Sequence, residues 1–313
     1  MVDYAFFCPL THEGVLAVRG SDSAEFLQGQ LTCNLNYLSN SQASLGARCT
    51  QKGRMQSSFR ILLQSDGVLL AMANGLLEPQ LVDLKKYAMF SKSKLINESA
   101  AWVRFGLSNA DQAMAAIGLA LPIETDSVVR TDTLIAVRVS PGRAELWVSA
   151  KQADAIRNQL TNKLQQANLN DWLLGQIRAG IGQVMPQTSE LFIPQMLNLQ
   201  AIGGVSFKKG CYTGQEIVAR MQYLGMCKRR LYRLSLSSTE LPKPGTQLFS
   251  RNHNSTISKV VIAAKADQSI ELLAVLHIEA ANSCDVHIGT MDGPRLNLLD
   301  LPYLLDRDKE IQR

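Results

Sequence analysis

The run Lys208-Lys209-Gly210-Cys211-Tyr212-Thr213-Gly214-Gln215-Glu216 gathers a thiol, two glycines, a cationic pair and an amide–carboxylate pair, then continues into Ile217-Val218-Ala219-Arg220. Filling a core does not require that mixture; thiol chemistry does. Thr213-x-x-Glu216 has the spacing of a capping box and predicts a helix from about Thr213 toward Met221. Cys211 then stands just ahead of a helix N-terminus, with Lys208 and Lys209 beside it in sequence. The helix dipole and neighbouring cations both favour thiolate over thiol. Gly210 and Gly214 permit a sharp turn or the close approach of another molecule. The expectation is a reactive or metal-ligating thiol. The ordinary alternative is a buried structural cysteine beside a well-capped helix.

Composition bounds what surrounds this run. A chain of 313 residues exceeds one typical core, which predicts two or three domains. Hydrophobic residues are 46% and charged residues 19%, a balance that predicts packed domains rather than disorder. No run of about 18 apolar residues occurs, so no membrane span is expected. The opening Met1-Val2-Asp3-Tyr4-Ala5-Phe6-Phe7 lacks a basic n-region and a long apolar h-region, and no secretory signal is expected. Cys8, Cys33, Cys49, Cys211, Cys227 and Cys284 contain no Cys-x-x-Cys pair, which predicts reduced thiols in a cytoplasm and disfavours a four-Cys zinc site. From Lys208 to Arg230 there are six cations (Lys208, Lys209, Arg220, Lys228, Arg229, Arg230) against one acid, Glu216, an excess equal to the net +5 of the whole chain. Such a surface attracts phosphate, polyglutamate or an acidic partner; a solvated face without a partner is the plain alternative.

The elements that must position the thiol can be read from periodicity. Gly14 to Gly20 reads as a strand, and Leu45–Thr50 and Met55–Leu63 as two more, joined by the basic turn Gln51-Lys52-Gly53-Arg54. A helix is predicted from Leu76 to Phe90 with Pro79 in its first turn. Lys94–Asn97 and Trp102–Leu107 are strand-like, Asn109–Leu119 helical, and Thr133–Val139 and Ala144–Ser149 a hairpin across Ser140-Pro141-Gly142-Arg143. Helices follow over Lys151–Gln166 and Asp171–Ala179. Strand signals come in adjacent runs without strict βαβ regularity, which predicts α+β units. Residues 180–207 lose their period, as functional loops do, and deliver the chain to Cys211. After residue 228 strands and turns alternate with no helix of length (Leu231–Leu236, Ser255–Ala264, Ile270–Ile278, Cys284–Met291), a small all-β module with a frayed tail from Asp306.

Lys209-Gly210-Cys211-Tyr212-Thr213-Gly214-Gln215-Glu216 with Val218-Ala219-Arg220 resembles the signature of the YgfZ family, folate-binding proteins that support iron–sulfur enzymes and are related in fold to the glycine-cleavage T-protein. Collinear matches accompany it: Phe26-Leu27-Gln28-Gly29-Gln30-Leu31-Thr32, Lys52-Gly53-Arg54-Met55, Glu78-Pro79-Gln80-Leu81 with Leu84-Lys85-Lys86-Tyr87-Ala88, and Phe192-Ile193-Pro194-Gln195 with Asn198-Leu199-Gln200. The resemblance implies an α+β fold of two interlocked ferredoxin-like units around a central cleft (residues 1–227) and a C-terminal antiparallel β-barrel (residues 228–313). It implies tetrahydrofolate as ligand. Trp172 matches one of the family's folate-site tryptophans, and its indole could stack on a flat heterocycle; a core tryptophan is the alternative. The family's other tryptophan has no match, with Glu13 or Gly14 near its place. Lys52, Arg54, Lys208 and Lys209 are candidates to balance glutamyl carboxylates, with Gly210 and Gly214 giving access. The T-protein carries acidic residues in the turn occupied here by Gln51 to Gln56, which has no carboxylate, so aminomethyl transfer is disfavoured.

Three functions are compatible with this reading. The leading one is a tetrahydrofolate-binding factor for assembly or repair of iron–sulfur clusters in client enzymes, tRNA methylthiotransferase among them. Cys211 would be its functional thiol and one ligand of a transient cluster whose remaining ligands come from a carrier or client, since one thiolate fills only part of a coordination shell. Tyr212 and Gln215 would shape access to the sulfur, and Arg220 would engage folate or partner carboxylates. The second is a folate-dependent one-carbon transferase or demodifying enzyme with Cys211 as nucleophile; His12, His253, His277 and His287 are all remote in sequence from it. The third, a nucleic-acid-binding module, lacks an aromatic–basic stacking motif and a high net charge.

Overall fold

Runs of period two and runs of helical period alternate along the chain, and the structure, a computed structural model that describes residues 4–225, 227–251, 255–306 and 310, turns most of them into regular elements. In chain order these are β1 (Phe6–Pro9), β2 (Glu13–Arg19), α1 (Ser23–Gln28), β3 (Ser44–Cys49), β4 (Met55–Gln64), β5 (Gly67–Ala73), α2 (Asn74–Tyr87), β6 (Lys94–Asn97), β7 (Trp102–Ser108) and α3 (Ala110–Ala116). Then come β8 (Val128–Arg130), β9 (Leu134–Ser140), β10 (Arg143–Ser149), α4 (Ala153–Thr161), β11 (Gln165–Gln166) and α5 (Leu169–Arg178). Beyond 3-10 turns at Pro186–Thr188 and Pro194–Leu197 lie α6 (Gln215–Tyr223), β12 (Arg229–Leu236), β13 (Gln247–Ser250), β14 (Ser255–Lys265), β15 (Ile270–His277), α7 (Ile278–Asn282), β16 (His287–Ile288) and β17 (Leu296–Leu299). Contacts divide the chain into two compact units that interleave in sequence. The first holds residues up to Gln28, Asn34–Ser44 and Phe59–Trp172; the second holds Gly29–Cys33, Leu45–Ser58 and Leu173 onward.

In the first unit a six-stranded sheet runs in the order β11-β1-β7-β10-β9-β8. Alternation assigns its faces. Phe105, Leu107, Ala144, Leu146 and Val148 join Ala113 and Met114 of α3 and Ile156 and Leu160 of α4 in one core. The intervening residues Arg104, Gly106, Arg143, Glu145 and Trp147 occupy the other face. The remaining strands of this unit belong to a sheet of order β3-β4-β5-β2-β6, with the wholly apolar β5 buried along its length and Leu76, Leu77, Leu81 and Leu84 of α2 buried beside it. Buried charges tie the two sheets together. Arg104 donates to Glu13 of β2 and to Glu145 of β10, each at 2.5 Å, and lies 4.4 Å over the Trp147 ring. Arg60 of β4 pairs with Asp126 and stands 3.7 Å from Glu145. Charges this deep are tolerated only when paired.

In the second unit an antiparallel sheet of order β16-β13-β14-β15-β12-β17 curls until its edges meet. His287 bridges Arg295, and the Leu296 amide donates to the Val286 carbonyl at 2.9 Å. Leu234, Leu248, Val260, Leu272 and Leu276 fill the interior. The α+β class with a C-terminal antiparallel barrel is thus realised.

Several elements depart from expectation for local reasons. The helix predicted to reach Gln166 stops at Thr161, and Gln165–Gln166 instead pair in parallel with β1. The strand predicted over Cys284–Met291 shrinks to β16 because Cys284 adopts φ 52°, which no strand accommodates. Within the tail expected to fray, Glu310 is buried and its carboxylate accepts from Gln200 at 3.2 Å and from Gln222 at 2.9 Å; residues 307–309 and 311–313 lie outside the described residues. Among the described residues no helix is long and apolar enough to cross a membrane.

Candidate functional site

The basic turn and the thiol loop form one constellation, and two glycines make it so. Thr50, Gly53 and Arg54 close a tight turn, with the Gly53 amide donating to Thr50 O at 2.9 Å and the Thr50 amide to Arg54 O at 2.8 Å. Gly214 sits at φ 87° directly ahead of α6. A Cβ on Gly214 would lie 2.4 Å from Thr50 O and 3.2 Å from Gly53 Cα; one on Gly53 would lie 2.9 Å from Cβ of Ile217. The backbones touch because neither residue has a side chain.

The helix start therefore differs from the capping box read from the sequence. Gly214 is the N-cap and contributes no side-chain bond. Thr213 lends its amide to Gly29 O at 3.2 Å, and Glu216 points to solvent, pairing with Arg220 at 2.6 Å. Contact with the Thr50 turn demands a left-handed residue at 214, and that demand overrides local capping.

A second strand of chain holds the loop from the other side. Gly29–Cys33 accepts from Thr213, and Thr32 O accepts from the Ser206 amide at 2.9 Å. Thr32 Oγ1 donates to Gly204 O at 2.6 Å and accepts from the Ala47 amide at 2.9 Å. Lys209 completes the tie. Its ammonium donates to Leu31 O at 2.7 Å and Cys33 O at 2.8 Å, 5.1 Å from the centre of the Tyr212 ring. Burial pushes Lys209 down to about 8, the neighbouring Cys33 opposing it. Burial, with Cys49 and Cys33 nearby, holds the Tyr212 phenol well above its ordinary value, so it stays protonated. From the long loop, Gln195 is fully buried and donates to Val218 O at 2.7 Å, bracing α6.

Cys211 is exposed on top of this framework, as is Gly210, whose missing side chain faces open space. Cys33 and Cys49 are buried, and burial pushes the Cys49 thiol up to about 12, an inert state at neutral pH. Lys208 and Lys52 are exposed, Gln215 is half-buried at the start of α6, and Arg54 is committed to Leu191 O at 2.7 Å. Among the described residues no group of three or more His, Cys, Asp or Glu is placed to hold a metal ion. His253 lies outside the described residues.

Trp172 belongs to the first unit and is only 3% exposed. Its indole packs on Gly106, where a Cβ would lie 2.4 Å from the ring, and the Arg143 guanidinium stands 3.8 Å over its centroid. Arg143 also donates to Trp172 O at 3.0 Å. The indole face expected to receive a heterocycle is thus covered by an arginine. Arg143 is buried, makes no ion pair among the described residues, and is pushed down to about 9 by burial, with Glu145 opposing and Arg60 adding to the shift. Sequence reading had placed Arg143 in a hairpin turn; its 29-residue separation from Trp172 gave no signal. Thr32, Gly53 and Gln195 stood inside motifs already noted, but their roles depend on contacts across the chain.

The architecture is that of a glycine-cleavage aminomethyltransferase T: the solved enzyme from Bartonella henselae superposes with a TM-score of 0.73 at 15% sequence identity, covering 96% of this chain and 86% of that one. No protein-family model matches the sequence. Full-length relatives do. The tRNA-modifying protein YgfZ of Escherichia coli O157:H7 is 38% identical over 298 residues, covering 92% of this chain and 90% of that protein. Its namesake from Yersinia enterocolitica is 33% identical over 302 residues (94% and 91%), and that of Photorhabdus laumondii 34% over 304 residues (95% and 92%). The chain belongs to the YgfZ family.

Proposed function

We propose that this protein is a cytoplasmic, tetrahydrofolate-binding accessory factor that supports assembly or repair of iron–sulfur clusters in enzymes of tRNA modification, tRNA methylthiotransferase among them. Cys211 is its functional thiol. The observation that carries this reading is the presentation of Cys211: an exposed cysteine on a loop immobilised by the Gly53–Gly214 contact and the Lys209 tie, while Cys33 and Cys49 beneath it are buried. A thiolate offered this way can ligate iron or exchange with a partner, and the rest of a cluster's ligands come from that partner. Acyl-type or one-carbon transfer is less favoured, because the Lys52 turn carries no carboxylate to act on a folate nitrogen.

The folate expectation needs a ligand-accepting group, and the donor set supports one. Trp172 cannot offer its covered face, but Arg143 brings a planar guanidinium with no carboxylate partner among the described residues, suited to a pterin edge or a carboxylate. Trp172 in this account orients Arg143. Calorimetry with tetrahydrofolate tests it. Arg143→Met and Trp172→Ala should each weaken binding about tenfold or more, the loss of a charge-assisted bond, and the double variant should be little worse than either. Wild-type affinity in Arg143→Met would remove the arginine from the site. Turnover of methylene- or formyl-tetrahydrofolate by the purified protein would replace the accessory reading with the transferase one.

A further inference from the structure

Helix α6 carries Cys211 ahead of its N-terminus, and its C-terminus adds an exposed apolar pair to the basic stretch counted in the sequence. Tyr223 packs edge-on against Phe207, ring centres 5.9 Å apart and planes at 75°. Leu224, the next residue, is 84% exposed and Tyr223 46%. Lys208 directly follows Phe207, and Lys228 and Arg229 follow Leu224 by four and five positions; all three are exposed and none is in an ion pair among the described residues. All belong to the second unit. The nine residues of α6 span about 14 Å at 1.5 Å per residue. A typical protein footprint of ~800 Å² is roughly 30 Å across, about twice the length of this helix.

We infer that Leu224 and Tyr223, together with the exposed cations Lys208, Lys228 and Arg229, form the docking surface for a protein with an acidic rim around an apolar socket, seated so that its own ligand or thiol meets Cys211. This rests on the thiol role proposed above and adds where the partner sits. An apolar centre with a charged rim is the ordinary anatomy of a protein interface. Charge complementarity selects the acidic partner: the three cations make no ion pair among the described residues, and rim charges of one sign steer the opposite sign. A nucleic acid is less favoured, because Leu224, the most exposed apolar residue here, has no π-face and the whole chain carries only +5.

The test uses the full chain in cells lacking the gene, with methylthiolated tRNA as readout and calorimetric tetrahydrofolate binding as the control for folding. Leu224→Asp and Lys228→Glu/Arg229→Glu should each reduce rescue at least fivefold while folate affinity stays at the wild-type value, and purified wild type should show no salt-dependent affinity for tRNA. Full rescue by both variants overturns the docking surface. Wild-type affinity for tRNA with a steep salt slope, lost in the same variants, also overturns it by making RNA the occupant. Cys211→Ser assayed alongside separates the two claims. If it rescues fully the thiol role fails; if it does not while Leu224→Asp does, only the docking surface fails.

Discussion

Gly214→Ala should lower stability by about 2–5 kcal/mol, the sum of a left-handed non-glycine residue and an overpacked contact, and should abolish function in proportion. The left-handed φ of 87° disfavours any Cβ, and the Cβ would meet Thr50 O at 2.4 Å, a backbone atom that cannot swing aside. Relief requires the Thr50 turn to withdraw from α6, which separates Lys52 from the thiol loop. Gly210→Ala is the matched control. Gly210 has open space where a Cβ would go, so the change should stay within about 0.5 kcal/mol. Urea midpoints of the two variants make the comparison. A Gly214→Ala protein as stable as Gly210→Ala would show that the two glycines do not clamp the site.

Glu145→Ala should cost about 3–5 kcal/mol, because it leaves three buried guanidinium groups, Arg60, Arg104 and Arg143, against two carboxylates, Asp126 and Glu13. Glu145 accepts from Arg104 at 2.5 Å and from the Trp147 indole at 3.2 Å, and Arg60 stands 3.7 Å away. Arg104 keeps Glu13, but the Glu145 carboxylate is the group that Arg104 and Arg60 share. Loss of that carboxylate also leaves Arg143 without the nearest charge that favours its protonation. Asp83→Ala breaks the exposed pair with Lys86 and should change stability by about 0.5 kcal/mol or less. Equal effects of Glu145→Ala and Asp83→Ala on the urea midpoint would mean that the buried cluster does not hold the two sheets of the first unit.

Much of this molecule is legible locally. Alternation along Trp102–Ser108 and Arg143–Ser149 reports strands because one face of that sheet is apolar, and the wholly apolar β5 reports a strand buried along its length. The Cys211 motif is legible because its unusual residues are contiguous. What stays hidden depends on contacts between distant segments. The capping box is sound local chemistry, yet Gly214 takes the cap because the close approach of Thr50 O and Gly53 leaves no room for a side chain there. Lys209 read as a cation for ligands or for the thiol; instead its ammonium is spent on two main-chain carbonyls some 180 residues earlier. Trp172 read as a stacking platform because nothing in the sequence places Arg143 over it. At the end of α6 the cations are legible in the sequence but the aromatic pair is not: Phe207 and Tyr223 are 16 positions apart and meet only in the fold.

The central claim is that the exposed thiol of Cys211, and not the framework around it, is what the protein contributes to its clients. Cys211→Ser changes one atom at an exposed position and should leave stability and tetrahydrofolate affinity as they are. The decisive measurement is methylthiolated tRNA in cells lacking the gene and supplied with Cys211→Ser, with the buried-thiol variant Cys33→Ser alongside. Loss of rescue is expected for Cys211→Ser despite normal folate binding, and rescue by Cys33→Ser in proportion to the folded protein it yields. Wild-type levels of methylthiolated tRNA with Cys211→Ser would contradict it.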